Sequence, residues 1–187
     1  MKTVSPPSIK GKRMLAYNEA HEYTRRVPTY LTDRQRERDA KIIRQIAMAH
    51  DVEGDAQKVL DIFFGKCRLL SNTAYWETLR TVWVAVGSTE LADRFLPYFR
   101  STRGARSWFM TPEDTAALNS MTFPIQLYRA YDDDDDRGVS WTNNRDWCEK
   151  YAVLRGRRMK TAEFDRDDIY AYISRRGEDE FIVLPKD

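Results

Sequence analysis

Three groups of side chains in the last third of the chain have the types and spacing that a reactive site needs. Glu178 and Glu180 open an apolar run, and residues two apart share a face of a strand, so two carboxylates there can address one ligand. Ser140-Trp141-Thr142 places two hydroxyl groups around an aromatic ring. Arg129 follows another apolar run, and its guanidinium can hold two phosphate oxygens at once. The residue types therefore indicate a site that combines a cation with carboxylates.

In this order, the three groups resemble the Arg, Ser-x-Thr/Ser and Glu-x-Glu pattern of the arginine-serine-glutamate class of ADP-ribosyltransferases. That family cleaves NAD at the nicotinamide bond and passes ADP-ribose to an acceptor. Small proteins of phages and prophages carry a similar Tyr-Arg, Ser-Trp-Thr and Glu-x-Glu frame. The resemblance implies NAD as the substrate that the site binds, and a host protein or nucleic acid as the acceptor, as for a phage effector or toxin.

The resemblance also implies the catalytic roles. Glu180 would hold the ribose 2′-hydroxyl and stabilise an oxocarbenium-like transition state, much as a carboxylate does in glycoside hydrolysis. Glu178 would orient or deprotonate the acceptor. The hydroxyl of Ser140 would orient the catalytic glutamate.

The remaining family positions would bind NAD. Arg129 would hold the pyrophosphate, and the backbone of Ala130, where related sequences often have Gly, would contact the nicotinamide amide. Thr142 completes the hydroxyl triplet, and Tyr151 would stack on the nicotinamide ring. We expect Arg129, Ser140 and Glu180 to converge around one cleft.

Each group also has a purely structural interpretation. Arg129 could end a strand in water, and Ser140-Trp141-Thr142 could end a strand and cap a helix. Tyr151 could be a core aromatic on an amphipathic helix, and the segment from Arg175 to Glu180 could be a charged turn. Three functions remain open at this point. They are transfer of ADP-ribose to a macromolecule, hydrolysis of NAD by water, and a non-enzymatic phage or host protein-interaction module on the same fold.

Composition excludes several classes of protein. The chain has 187 residues, 42% of them hydrophobic and 32% charged, with a net charge of +2, as expected for one domain or one domain with a helical extension. No apolar run approaches the roughly 20 residues of a membrane helix, and residues 1–13 lack the apolar region of a secretory signal. We therefore expect no membrane association and a location in the host cytoplasm. Two distant cysteines and two histidines form no zinc pattern, so no metal site is predicted.

Charge is distributed unevenly along the sequence. Residues 1–50 carry 11 Lys or Arg against 5 Asp or Glu, whereas residues 101–150 carry 6 against 9. The basic start could contact nucleic acid or an acidic partner, or could be a solvated helix face. Asp132 to Asp136 follow the proposed phosphate-binding Arg129 and would repel a pyrophosphate if close to it.

Periodicity predicts an α+β fold with helices first and strands later. Helix signals begin at Thr32, Asp55, Ser71, Ser88 and Thr111. Strands are predicted over residues 125–131, 139–142, 158–164, 169–174 and 180–184, with one helix over 145–154. The predicted organisation is a flexible arm (1–12), a helical region (13–120) and a β-rich catalytic core (121–187), with an antiparallel or mixed sheet.

Overall fold

The computed structural model describes residues 30–87, 91–132, 138–175 and 178–186, and for Arg175 and Glu178 it describes the backbone alone. The predicted arm, the helix start at Ser88 and the aspartates at 133–136 lie outside the described residues. Helices precede an antiparallel sheet, which confirms the α+β class.

Within the described residues, six α-helices form where capping and periodicity favour them. They are α1 (Asp33–Ala47), α2 (Ala56–Lys66), α3 (Asn72–Val86), α4 (Ala92–Phe99), α5 (Pro112–Asn119) and α6 (Arg145–Arg155). The hydroxyl of Thr32 accepts a hydrogen bond from the amide of Gln35, and Thr111 forms a capping box with Asp114, so both threonines cap helices as predicted. A π-helical turn over Met48–Val52, which periodicity does not predict, follows α1. None of the described helices combines the length and apolarity needed to cross a membrane.

Five strands form one sheet in the order β3-β1-β2-β5-β4, and every neighbouring pair is antiparallel. The strands are β1 (Ile125–Tyr131), β2 (Ser140–Thr142), β3 (Arg158–Phe164), β4 (Ile169–Arg175) and β5 (Glu178–Val183). Their positions agree with the predicted strands to within two residues at each end. The sheet therefore places the strand of Arg129, the hydroxyl triplet and the glutamate strand next to one another.

The chain divides into two compact units. The first unit comprises residues 1–86 and 103–106, and its described part contains α1, α2 and α3. Its core includes Phe63, Trp76 and Leu79, all fully buried. The fully buried carboxylate of Asp39 accepts hydrogen bonds from the Gln35 side chain and the Ser71 amide, at 2.7 and 3.1 Å. Such bonds are what a buried charge requires.

The second unit comprises residues 87–102 and 107–187 and contains the whole sheet. Helices α4 and α5, which the sequence analysis groups with the helical region, belong to this unit. Helix α5 packs against the outer strand β4, where Asp114 accepts a hydrogen bond from the Ser174 amide at 3.0 Å. This contact covers an edge amide that would otherwise be open to pairing with another chain.

The two faces of the sheet carry different hydrophobic clusters. One face carries Leu127, Tyr172 and Phe181 together with Leu118 of α5. The other face carries Ala130, Cys148 and Ala152, with Tyr128, Trp147, Tyr151 and Met159 packed against them. Because successive residues of a strand point to opposite faces, β1 contributes to both clusters.

Candidate functional site

The candidate site lies on β1, β2 and β5, three consecutive strands of the sheet. Thr142 is paired with Tyr128 on β1 and with Glu180 on β5, so these three residues form one row across the sheet. Ser140 is paired with Ile182. Strand alternation therefore puts Ser140, Thr142 and Glu180 on the same face of the sheet.

A hydrogen bond joins the two central residues of the site. The hydroxyl of Ser140 donates to Oε1 of Glu180 at 2.7 Å, although the residues are 40 positions apart in sequence. Glu180 is only 9% exposed and Ser140 is half-buried. A hydrogen-bonded carboxylate with little access to water keeps a fixed orientation and interacts strongly with a nearby positive charge. This is the relation between Ser140 and Glu180 that the family resemblance implies.

Arg129 approaches the start of β2 from β1. It is 3% exposed and is paired with Lys160 on β3, so it leaves β1 from the face opposite Ser140 and Glu180. Its guanidinium lies against Gly138, where a Cβ would overlap its nitrogen atoms. The structure thus brings Ser140 and Glu180 into contact, but it does not bring all three residues to one face of the sheet as expected, because residue 129 alternates with residue 128 along β1. The Arg129 guanidinium instead lies against Gly138, two positions before Ser140.

Glycine at position 138 is a feature of the site that the sequence analysis misses. The missing Cβ leaves the space that the Arg129 guanidinium occupies. The only signal in the sequence is a Gly two residues before the hydroxyl triplet. That signal does not reveal which distant side chain fills the space.

Ala130 and Tyr151 meet in the cluster formed with α6. The Tyr151 ring is stacked on Trp147 with centroids 5.2 Å apart and an interplanar angle of 7°. The guanidinium groups of Arg155 and Arg157 lie 5.7 and 5.8 Å from the centroid of the same ring. Tyr151 is therefore already stacked within its own helix, and its use as a nicotinamide platform stays a prediction.

The buried thiol of Cys148 lies in the same cluster. Burial raises the pKa of this thiol, and the positive charge of Arg129 partly opposes that effect. A raised pKa keeps a thiol protonated and unreactive. Cys148 on α6 therefore packs within this cluster, and its burial disfavours the thiolate form.

The hydroxyl of Thr142 has a local structural role. It accepts a hydrogen bond from the Asn144 amide at 3.1 Å, and the Asn144 side chain in turn caps α6 by accepting from the Trp147 amide at 2.9 Å. The turn after the hydroxyl triplet is therefore fixed by two short polar side chains. Its effect is to hold α6 at the end of β2.

On β5, Asp179 lies between Glu178 and Glu180 in sequence and has a different role from them. Asp179 accepts a hydrogen bond from the hydroxyl of Tyr172 at 2.7 Å, on the face that carries Phe181. Glu178 is paired with Arg175 in the backbone register, but its side chain lies outside the described residues. The acceptor role of Glu178 therefore stays a prediction.

Among the described residues, no group of three His, Cys, Asp or Glu side chains is placed to hold a metal ion. No protein-family model, curated protein or solved structure matches the chain. The residues of the site themselves indicate its chemistry. They provide a fixed, poorly hydrated carboxylate that can stabilise a cation and a guanidinium that can attract an anion.

We predict that Gly138→Ala displaces the Arg129 guanidinium and lowers stability by about 1–3 kcal/mol, the usual cost of overpacking. In the Arg129→Ala background the same change should cost far less, because the space is empty. Urea unfolding of the four proteins gives the coupling free energy. Val139→Ala, a change at the neighbouring buried residue, serves as the control that should not couple in this way. Equal costs of Gly138→Ala in both backgrounds would contradict the prediction.

We also predict a loss of stability at high pH that depends on Tyr172. Burial and the hydrogen bond to Asp179 raise the pKa of Tyr172 from 10.0 to about 12. The folded protein then holds this proton more tightly than the unfolded chain, so the stabilisation is complete below pH 10 and is lost as the pH rises to about 12. Between about pH 9 and pH 12, wild type should lose about 2 kcal/mol more than Tyr172→Phe. Denaturant unfolding measures both, and equal losses would show that Tyr172 is not responsible.

Proposed function

We propose that the protein is a mono-ADP-ribosyltransferase that cleaves NAD and transfers ADP-ribose to a host macromolecule. The observation that supports this most strongly is the hydrogen bond between Ser140 and Glu180 on adjacent strands. The serine-oriented glutamate is the central feature of the resemblance, and the sheet supplies it from residues far apart in sequence. The strand of Arg129 lies directly beside this pair.

In the proposed reaction, the bond between the ribose C1′ and the nicotinamide nitrogen breaks, and its electron pair leaves with neutral nicotinamide. Positive charge develops on the ribose, where the carboxylate of Glu180 offsets it. Ser140 holds that carboxylate in place at 2.7 Å. A nucleophilic atom of the acceptor then bonds to C1′, and Glu178 takes the proton that this atom releases.

Arg129 would hold the pyrophosphate in this proposal. A guanidinium suits the role because two of its N–H groups can donate to two oxygens of one phosphate. The position of its guanidinium against Gly138 keeps it beside the segment that leads into β2. Because the Arg129 side chain leaves β1 from the face opposite Glu180, this role requires the pyrophosphate to lie at the Gly138 end of β2, where the guanidinium is.

The host cytoplasm is the compartment we propose, because NAD and macromolecular acceptors occur there together. Two alternatives use the same fold. A NAD glycohydrolase would pass ADP-ribose to water, and an interaction module would consume no NAD. Measurement of NAD loss separates the module from both enzymes, and label from NAD entering a macromolecule separates transfer from hydrolysis.

We predict that Glu180→Gln preserves the fold and lowers NAD cleavage at least 100-fold, equivalent to about 3 kcal/mol in the barrier. The amide oxygen can still accept from Ser140, but the negative charge that offsets the ribosyl cation is lost. Release of nicotinamide from purified protein is the measurement. Glu163→Gln, which removes an exposed carboxylate on β3, is the matched control and should retain activity. Unchanged turnover in Glu180→Gln would show that Glu180 is not the catalytic carboxylate.

Glu178→Gln should impair transfer more than hydrolysis, because Glu178 is assigned to the acceptor and Glu180 to the ribose. NAD binding should survive, because Arg129 and Tyr151, which are assigned to the pyrophosphate and the nicotinamide, are unchanged. Nicotinamide release is compared in the presence and absence of a host lysate, and label from NAD is followed into protein and nucleic acid. Equal losses in the two assays would mean that Glu178 has no separate role toward the acceptor.

A further inference from the structure

The two outer strands of the sheet, β3 and β4, differ in how their outer edges are covered. Helix α5 packs against β4, and Asp114 of α5 accepts a hydrogen bond from the amide of Ser174 at 3.0 Å. The register of β4 also shifts between Ile169 and Ala171, and such an irregularity disfavours regular pairing with a further strand. The edge at β4 is therefore protected from pairing with another chain.

Strand β3 has neither form of protection in the part of the chain that the structure describes. All seven of its residues pair with β1 without a shift in register, from Arg158 with Tyr131 to Phe164 with Ile125, and none of the seven is buried. Helix α6 packs on β3 and on β1 together, so it lies across one face of the two strands. A long and regular outer strand without a described cover is a template for one more strand.

Charge changes sign along β3 and the residues that flank it. Residues 155–160 contain four cations and no acid, which are Arg155, Arg157, Arg158 and Lys160. Residues 161–168 contain four acids and one cation, which are Glu163, Asp165, Asp167, Asp168 and Arg166. When a strand pairs antiparallel with a copy of itself, the start of each lies beside the end of the other. This edge is therefore electrostatically complementary to itself, as a two-fold symmetric interface requires.

Ion pairs within the chain do not remove this polarity. Arg157 is paired with Asp132 and Asp168 with Lys186, each at 3.0 Å. Without Arg157 and Asp168, the first segment still has three cations and the second still has three acids against one cation. The start of β3 therefore stays positive and its end stays negative.

We propose that β3 pairs antiparallel with β3 of a second copy of this chain, which joins two five-stranded sheets into one. The two-fold axis of such a dimer is perpendicular to the sheet and passes through a residue of β3, because directly opposite residues share a face. With the axis at Thr161, all seven residues overlap and no two like charges lie opposite each other. An axis at Lys160 or at Glu163 would put that residue opposite itself, which is destabilising.

The charge polarity favours a second copy over a segment of another protein. A purely acidic segment would be attracted by the first half of this edge and repelled by the second half, whereas a second copy matches both halves. The axis keeps both copies of the Ser140–Glu180 pair on the same side of the joined sheet. The two β2 strands would be five strand spacings apart, or about 24 Å. The proposal does not depend on cleavage of NAD.

The first test is the mass of the full-length protein, measured by sedimentation velocity and light scattering over a wide range of concentration. Wild type should form a dimer of the 22.0 kDa chain. Thr161→Lys and Thr161→Glu should each weaken dimerisation at least about tenfold, because each puts two like charges together at the axis. An equimolar mixture of the two variants should regain the affinity of wild type, since opposite charges then meet at the axis.

Thr102 provides the matched control for these substitutions. It is exposed and belongs to the same unit as the sheet. It also follows Phe99, whose ring packs on Tyr170 of β4, at the other edge of the sheet. Thr102→Lys and Thr102→Glu should therefore leave the dimer dissociation constant within about twofold of wild type, as for ordinary surface substitutions.

A cross-link tests the register independently of charge. Directly opposite residues of antiparallel strands have Cα atoms about 4.5–5.5 Å apart, a separation that a disulfide can bridge. Thr161→Cys should therefore give a covalent dimer on mild oxidation, whereas Thr102→Cys at the same concentration should not. The two native cysteines, Cys67 and Cys148, are buried and do not compete.

Circular dichroism and thermal unfolding check that each variant folds. If a charged variant does not fold, the mass of wild type and the cross-link of Thr161→Cys decide the question. A wild type that stays monomeric at every concentration, a dimer that both Thr161 charge variants leave intact, or an equal loss in the Thr102 variants would overturn the proposal. These measurements use no NAD, so failure of the proposed enzymatic function would leave them interpretable.

Discussion

The three-residue strand β2 determines the geometry of the rest of the sheet unit. It is the link between the β3–β1 pair and the β5–β4 pair, and Thr142 alone is paired with both neighbours in the described register. A shift of one residue at this row would turn Ser140 away from Glu180, since side chains alternate between faces. The contact between Ser140 and Glu180 therefore depends on a very short strand being held in register by its neighbours.

Burial of opposite charges near this strand has a free-energy cost that the local structure must offset. Arg129 is 3% exposed and Glu180 is 9% exposed, and an ionised group removed from water is destabilising unless it is hydrogen-bonded or paired. Ser140 supplies one bond to the carboxylate, and the missing side chain of Gly138 supplies space for the guanidinium. Apolar residues would fill the same space at a lower free-energy cost, so the presence of these two charged groups at the end of a strand favours a functional role over a structural one.

The local sequence pattern was enough to predict the helices and strands but not the side-chain contacts between them. The alternation of Ile125–Tyr131 and the Thr111-Pro112 start signal depend on neighbouring residues, so strand β1 and helix α5 are found where they are predicted. The bond from Ser140 to Glu180 spans 40 residues, and only the family resemblance suggested it. The contact of Arg129 with Gly138 and the stacking of Tyr151 on Trp147 depend on side-chain packing, which no spacing in the sequence encodes.

The alternation that builds the site also separates two kinds of surface on one small sheet. On β5, Glu180 faces the side of Ser140, whereas Asp179 is held by Tyr172 on the other side. On β2, Trp141 contacts Phe164 while its two neighbours carry the hydroxyl groups. On β3, Lys160 lies over the rings of Tyr131 and Trp141. A substitution on one face therefore leaves the side chains of the other face in place as long as the register of β2 is kept.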